Sequence, residues 1–302
     1  MRMNLQTHTR RCDGLLSAEE TVRAAIGAGL SHIGITDHLD TIKLRPLSGV
    51  DADSMGDYCA ELRDLARHYA ADITVLAGVE VDFCRERTDF DLFSTPEAAE
   101  RIFGGLDYVL FEYVNNPQYD GDSLDTLFEI RRGIPVPVGL AHPDIMLTFR
   151  GLIPRAAAGV LAQNDVFLEL CPSGRNAVWA PGPEVDGEEV EEGISRLSAE
   201  LVAATHRLAR DQGNVGLRST VTGLETELQR LHGLCQRRPA YRVPHHFIDE
   251  FFGAVRTYGV LLSIGADSHA GAEEVGQIDD ALAFVEEHDL ADNLITEHLW
   301  TR

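Results

Sequence analysis

The stretch His32-Ile-Gly-Ile-Thr-Asp-His38 carries the pattern on which the fold turns. Its first five residues make a short, largely apolar and β-branched run, the signature of a strand buried on both faces. Its last two are a carboxylate and an imidazole. Upstream, Ser17-Ala-Glu-Glu20 has the spacing of a capping box and opens a helix over Ala18–Ala28, which Gly29 closes. Downstream, Asp57–Tyr69 places Leu62 and Leu65 at helical spacing. The unit is therefore a short strand between two helices, with metal-capable side chains where the strand ends.

The unit repeats. Strands are predicted at Met3–Leu5, His32–Thr36, Thr74–Val79, Asp107–Phe111, Val136–Leu140, Val166–Leu170 and Val260–Ile264, with a further helix over Phe247–Tyr258. Alternation of this kind implies right-handed crossovers and a parallel sheet. Seven strands without a composition break predict one closed or nearly closed α/β barrel spanning residues 1–302; a doubly wound open sheet is the competing arrangement. Residues 174–238 break the alternation. They include Trp179-Ala-Pro-Gly-Pro183, the acidic Glu184–Glu192 and a long helical pattern interrupted near Gly213. They are expected to form a helical insertion after the sixth strand, either a lid on the rim or a structural or oligomerisation helix pair.

Composition narrows the partners. A set of 26 basic against 49 acidic residues gives a net charge of −23, which leaves no basic footprint for duplex nucleic acid and repels anionic membranes. The 44% hydrophobic content suffices for a substantial core. Five cysteines, an odd number without a CxxC pair, suggest neither a disulfide framework nor a thiolate zinc site. The N-terminus has no apolar leader, and no run of about 18 apolar residues occurs. A cytoplasmic location is expected; the oligomeric state is left open.

His8, Asp37, His38, Glu80, His142, Asp267 and His269 all fall at or just beyond the C-terminal ends of predicted strands. In a parallel barrel those ends form one rim, where active sites sit. Each residue alone has an ordinary structural explanation, such as a helix cap or a surface carboxylate. Together they converge, and mixed imidazole and carboxylate donors suit Zn, Mn or Fe.

In order along the chain these motifs resemble the PHP (polymerase and histidinol phosphatase) superfamily. Asn4-Leu-Gln-Thr-His-Thr9 resembles its opening Asp-x-His-x-His strand, and Gly34-Ile-Thr-Asp-His38 its second motif. Ala77-Gly-Val-Glu-Val-Asp82 is similar to the Gly-x-Glu motif of histidinol-phosphatase-like members. Gly139-Leu-Ala-His-Pro143, Glu169-Leu-Cys171 and Gly265-Ala-Asp-Ser-His269 resemble the later ones. The resemblance implies a distorted (β/α)7 barrel, two or three divalent metal ions, and hydrolysis of a small phosphomonoester by a metal-bound hydroxide. It also implies that His8, Glu80 and Asp267 hold one ion and that Asp13, His38 and His269 hold another. A third family site would keep Glu80 and His142, because Gln6 and Val114 stand where the family has histidines. If the fourth strand continued, Glu112 would share a face with residue 114 and could supply the missing ligand. Asp37 and His142 are the candidates for protonating the leaving group.

A phosphate also needs planar cationic donors. Arg10, Arg85, Arg87, Arg175 and Arg242 lie beside the motifs, with Arg175, Arg242 and Arg10 taken as the substrate contacts. Two other functions fit the same residues: a phosphodiesterase or nucleotide hydrolase, and a degenerate relative that binds metal or ligand without turnover.

Overall fold

The strands pair in chain order, all parallel: β1 Met3–Asn4, β2 His32–Ile35, β3 Thr74–Asp82, β4 Tyr108–Glu112, β5 Val138–Leu140, β6 Val166–Leu170 and β7 Leu262–Ile264. The ring closes between its first and last members. Leu5 N–H donates to the Ile264 carbonyl at 2.7 Å, His8 N–H donates to that of Ser268 at 3.0 Å, and Thr7 forms a parallel bridge with Ser268. The result is the seven-stranded α/β barrel that the alternation predicts. The computed structural model describes residues 1–39, 41, 49–117, 119–172 and 245–295, with scattered positions between 196 and 224.

The chain divides into two compact units, Met1–Asn176 with Pro244–Arg302, and Ala177–Val243. The first holds the barrel. In the second, the described residues, among them Leu197 and Ala204, are helical. Most of 174–238, for which a lid and an oligomerisation role were both left open, lies outside the described residues. Among those described, no helix is long and apolar enough to cross a membrane.

Helices α1 Ala18–Gly27, α2 Met55–His68, α3 Pro96–Phe103, α4 Leu124–Arg131, α5 Ile145–Thr148 and α6 Pro154–Gln163 follow the first five strands, and α7 His245–Tyr258 precedes β7. Two more, α8 Ala272–Val275 and α9 Asp279–Glu287, complete the unit. The predicted capping box is present: Ser17 Oγ accepts from Glu20 N–H at 3.2 Å, and Glu20 accepts from Ser17 N–H at 2.8 Å. Gly29 lies just past the helix with φ +70°, where a side chain would be strained.

Some boundaries move. β3 runs on to Asp82 because it changes partner midway, pairing Thr74–Ala77 with β2 and Gly78–Asp82 with β4. Glu80 is therefore inside a strand rather than beyond its end. β4 stops at Glu112, because Tyr113 turns to φ +64°. The continued strand that would have put residues 112 and 114 on one face does not form. α7 begins at His245 rather than Phe247.

Inside the ring, Tyr108 reaches across from β4 and donates its hydroxyl to the Leu5 carbonyl at 2.6 Å. Its ring occupies space that Gly34 on β2 and Gly78 on β3 leave open: a Cβ at Gly78 would lie 2.7 Å from Tyr108 Cζ, and one at Gly34 would collide with the Tyr108 hydroxyl. Gly34→Val should therefore cost about 3 kcal/mol by overpacking, and Tyr108→Phe about 1 kcal/mol for the lost hydrogen bond. Urea unfolding of both variants measures this. A neutral Gly34→Val would mean that the barrel interior is not packed this way.

Candidate metal centre

Three sets of imidazole and carboxylate donors meet at the C-terminal mouth, each with its donor atoms within 4.8 Å of one another. In the first, His8 Nε2 lies 3.2 Å from Glu80 Oε2 and 3.3 Å from Asp267 Oδ1. In the second, Asp13 Oδ1 lies 3.2 Å from His269 Nε2, 3.8 Å from His38 Nε2 and 3.9 Å from His8 Nδ1. In the third, His38 Nδ1 faces Glu80 at 3.4 Å and Glu112 at 3.7 Å. His142 Nε2 closes on the same acids, at 3.0 Å from Glu80 Oε1 and 3.9 Å from Glu112 Oε2. The His8 and His269 rings stack at 4.1 Å.

The backbone is strained where it presents these groups. His142 has φ +27° and Asp267 φ +51°, conformations that survive only where the surroundings over-determine them. Buried Glu169 accepts the His142 N–H at 2.8 Å, and Glu274 accepts those of His269 and Ala270 at 2.9 and 2.8 Å. Asp37 serves the loop that carries Asp13. Its oxygens accept from Thr9 N–H at 2.6 Å, the Thr9 hydroxyl at 2.8 Å and the Cys12 thiol at 2.9 Å.

The proton balance shows how the mouth is compensated. Burial opposes charge on His8, yet its contacts with Cys12 and its hydrogen bonds to Asp267 and Glu80 outweigh it and hold the ring well above its ordinary pKa. His142 is pushed up to about 10: burial opposes this, but the Glu80 hydrogen bond and the charges of Asp267 and Glu112 prevail. Burial would raise Glu80, Asp13 and Asp267, but the facing imidazoles hold all three well below the carboxylate range. Burial, helped by the charges of Glu80 and Asp267, lifts Glu169 to about 8 against the pull of His142. Protons on histidines thus stand in for cations. His8 Nε2 and Asp13 Oδ1 are buried without a well-aligned hydrogen bond. Divalent ions would satisfy both deficits, so the residues fit a metal centre.

Of the residues singled out in the sequence, His8, Asp13, His38, Glu80, Glu112, His142, Asp267 and His269 come together here. Val114 is buried and offers no donor. Gln6 does not present its oxygen to the cluster; its amide Nε2 donates to Glu80 Oε1 at 2.7 Å. Arg10 is turned to the Leu15 carbonyl at 2.7 Å and to Glu20 at 2.9 Å. Arg175 and Arg242 lie outside the described residues. Three participants were not among the site residues named from the sequence. Asp82 Oδ1 faces His38 Nδ1 at 3.7 Å, and the alternation of Glu80-Val-Asp82 could have revealed it. Glu169 is the second. Cys12 forms a further donor group with His8 and Asp37, although a sulfur ligand was not expected. Burial pushes its pKa up to about 11, so it is present as a thiol.

Residues 4–173 match the PHP domain, and the chain belongs to that family. Among solved structures it resembles histidinol phosphate phosphatase from Lactococcus lactis subsp. lactis Il1403, determined with zinc, L-histidinol and phosphate. Identity is 12%, coverage 95% of this chain and 93% of that one, and the TM-score 0.51. A candidate histidinol phosphatase from Listeria monocytogenes matches at 11% identity, covering 93% and 99% of the two chains, with a TM-score of 0.44. At such identities the likeness is one of fold. No curated protein matches the chain significantly.

The proton balance makes a prediction for the chelated protein. His142 titrates at about 6.5 when unfolded and at about 10 when folded, so its stabilisation is complete below about 6.5 and is lost as pH rises to about 10. Glu169, raised to about 8, acts in the same direction, because it must ionise in the interior between its ordinary pKa of about 4.3 and about 8. Chelated protein should lose thermal stability steadily from pH 5 to pH 10 (roughly the span of those two titrations). Metal-loaded protein should be nearly flat, since ions displace those protons. Equal slopes with and without chelator would refute the exchange.

Proposed function

We propose that this chain is a metal-dependent hydrolase of small phosphomonoesters, using two or three divalent ions of Zn, Mn or Fe. The observation that carries the reading is the convergence of His8, Asp13, His38, Glu80, Asp267 and His269 on one buried imidazole–carboxylate cluster at the mouth of a PHP barrel. The neighbouring phosphatase, solved with zinc, L-histidinol and phosphate, supports the reaction class.

Bound ions would lower the pKa of a coordinated water and neutralise charge on the phosphoryl oxygens. The chain does the rest. His8, Glu80 and Asp267 would hold one ion, and Asp13, His38 and His269 another. A third position, among Glu80, Glu112 and His142, is weaker, because Gln6 Nε2 already donates to Glu80 Oε1. His142 is the better placed of the two candidate proton donors: its ring is partly exposed, whereas both Asp37 oxygens are taken by Thr9 and Cys12. The partner is a small phosphorylated molecule rather than duplex nucleic acid, in keeping with the net charge of −23.

Protein stripped with a chelator and reloaded with Zn, Mn or Fe should release phosphate from a monoester panel, histidinol phosphate first, and should stop when chelated again. Elemental analysis should find two ions per chain after exhaustive dialysis, and three retained ions would refute the weak third position. A protein that keeps its metal yet hydrolyses no ester would instead be a binding relative without turnover. The Gln6 amide on Glu80 and the absent donor at Val114 are the features that favour that second reading.

A further inference from the structure

We infer that Arg87 grips the phosphoryl group of the substrate at the barrel mouth, with Tyr113 and Tyr119 as the platform that holds its guanidinium. The assignment rests on the phosphoesterase reading above and adds the cation which that reading needs.

Glu80 and Asp82 sit two residues apart on β3, so their side chains share a face, and Asp82 stands about 7 Å nearer the mouth. Asp82 Oδ1 faces His38 Nδ1, and on its other side Arg87 Nη1 lies 3.6 Å from Oδ2. At 3.6 Å the contact is electrostatic but too long for a hydrogen bond. Among the described residues the other partners of the guanidinium are aromatic rings, with Cζ 5.2 Å from the Tyr113 ring centre and 5.3 Å from that of Tyr119. The two rings stack at 4.2 Å. Arg87 is thus held by cation–π contact and charge and is a quarter exposed, and a guanidinium is the donor whose fork suits a planar array of oxygens.

The platform is built rather than incidental. Tyr113, Asn115 and Asp120 all adopt positive φ, at 64°, 57° and 52°. Asn115 N–H donates to the Asp122 carbonyl at 2.8 Å and Asn115 Nδ2 to that of Thr148 at 2.7 Å, which fixes the loop after β4, and Asp122 N–H donates to the Phe83 carbonyl at 2.8 Å, which ties it to the loop that carries Arg87. The other described arginines in the neighbouring loops are engaged elsewhere: Arg10 by Glu20, Arg11 by Glu61, and Arg85 by Asp122 and the Phe90 ring. The imidazoles of the mouth are engaged by its buried acids, and among the described arginines of these loops Arg87 is the one whose acidic partner, Asp82, itself faces the cluster.

The test uses the full chain loaded with metal, with inorganic phosphate as the calorimetric probe and steady-state kinetics on the best monoester. Arg87→Met should raise the phosphate Kd and the KM roughly tenfold or more, with kcat changed far less and metal content unchanged. Arg87→Lys should recover part of the loss. Tyr119→Leu, which leaves the arginine in place, should weaken phosphate binding severalfold and covers the case in which Arg87→Met does not fold. Wild-type Kd in a folded Arg87→Met or Tyr119→Leu overturns the assignment while the phosphoesterase reading stands. Restoration of binding in Arg87→Met/Asp82→Asn overturns it too, reducing Arg87 to a counterion for Asp82. A loaded wild type that binds no phosphate and hydrolyses no ester removes both.

Discussion

The Glu80 carboxylate is the point on which the mouth of the barrel depends. Four side chains close on it: Gln6 at 2.7 Å and His142 at 3.0 Å on one oxygen, His8 at 3.2 Å and His38 at 3.4 Å on the other. It is buried, and so are Asp82 and Glu112 beside it. Carboxylates are not kept ionised in an interior without compensating positive charge. The compensation here comes from imidazoles that can carry either a proton or a metal ion. The two occupancies are alternatives, and that choice couples the fold to pH and to metal supply.

Much of this was legible in the residues. Strand–helix alternation predicted a parallel barrel because short apolar runs and amphipathic stretches have few other ways to pack. Positions at strand ends converge in such a barrel whatever lies between them. Less legible was anything set by where a strand stops. The change of partner at Gly78 extends β3 past Glu80 and brings Asp82 into the mouth. The left-handed turn at Tyr113 ends β4 at Glu112. Neither follows from hydrophobic periodicity, because both depend on which neighbour offers hydrogen bonds at a given height. Asp37 illustrates the same limit. Its place beside His38 suggests chemistry, but three donors from Thr9 and Cys12 give it the work of fixing a loop.

Gln6 shows how a departure from a family pattern acquires a physical meaning. Read as a lost ligand, it leaves a hole. In the structure its amide nitrogen donates to Glu80 while its oxygen has no hydrogen-bond partner. An amide donor stabilises the carboxylate without adding a charge, so this side of Glu80 asks less of a cation than the side facing His8 and His38.

The seam between β1 and β7 also bears on how the protein comes to be loaded. His8 pairs with Ser268 across that seam, and each of the two fuller donor sets draws on both ends of the barrel sequence: His8 with Asp267, and Asp13 with His269. Neither set is complete until residues more than 250 positions apart have docked. Contacts of such long separation form late, since they bear the loop-closure entropy of everything between them. Completion of those two sets is therefore a terminal event in folding, and a nascent barrel lacking its last strand offers neither of them to an ion.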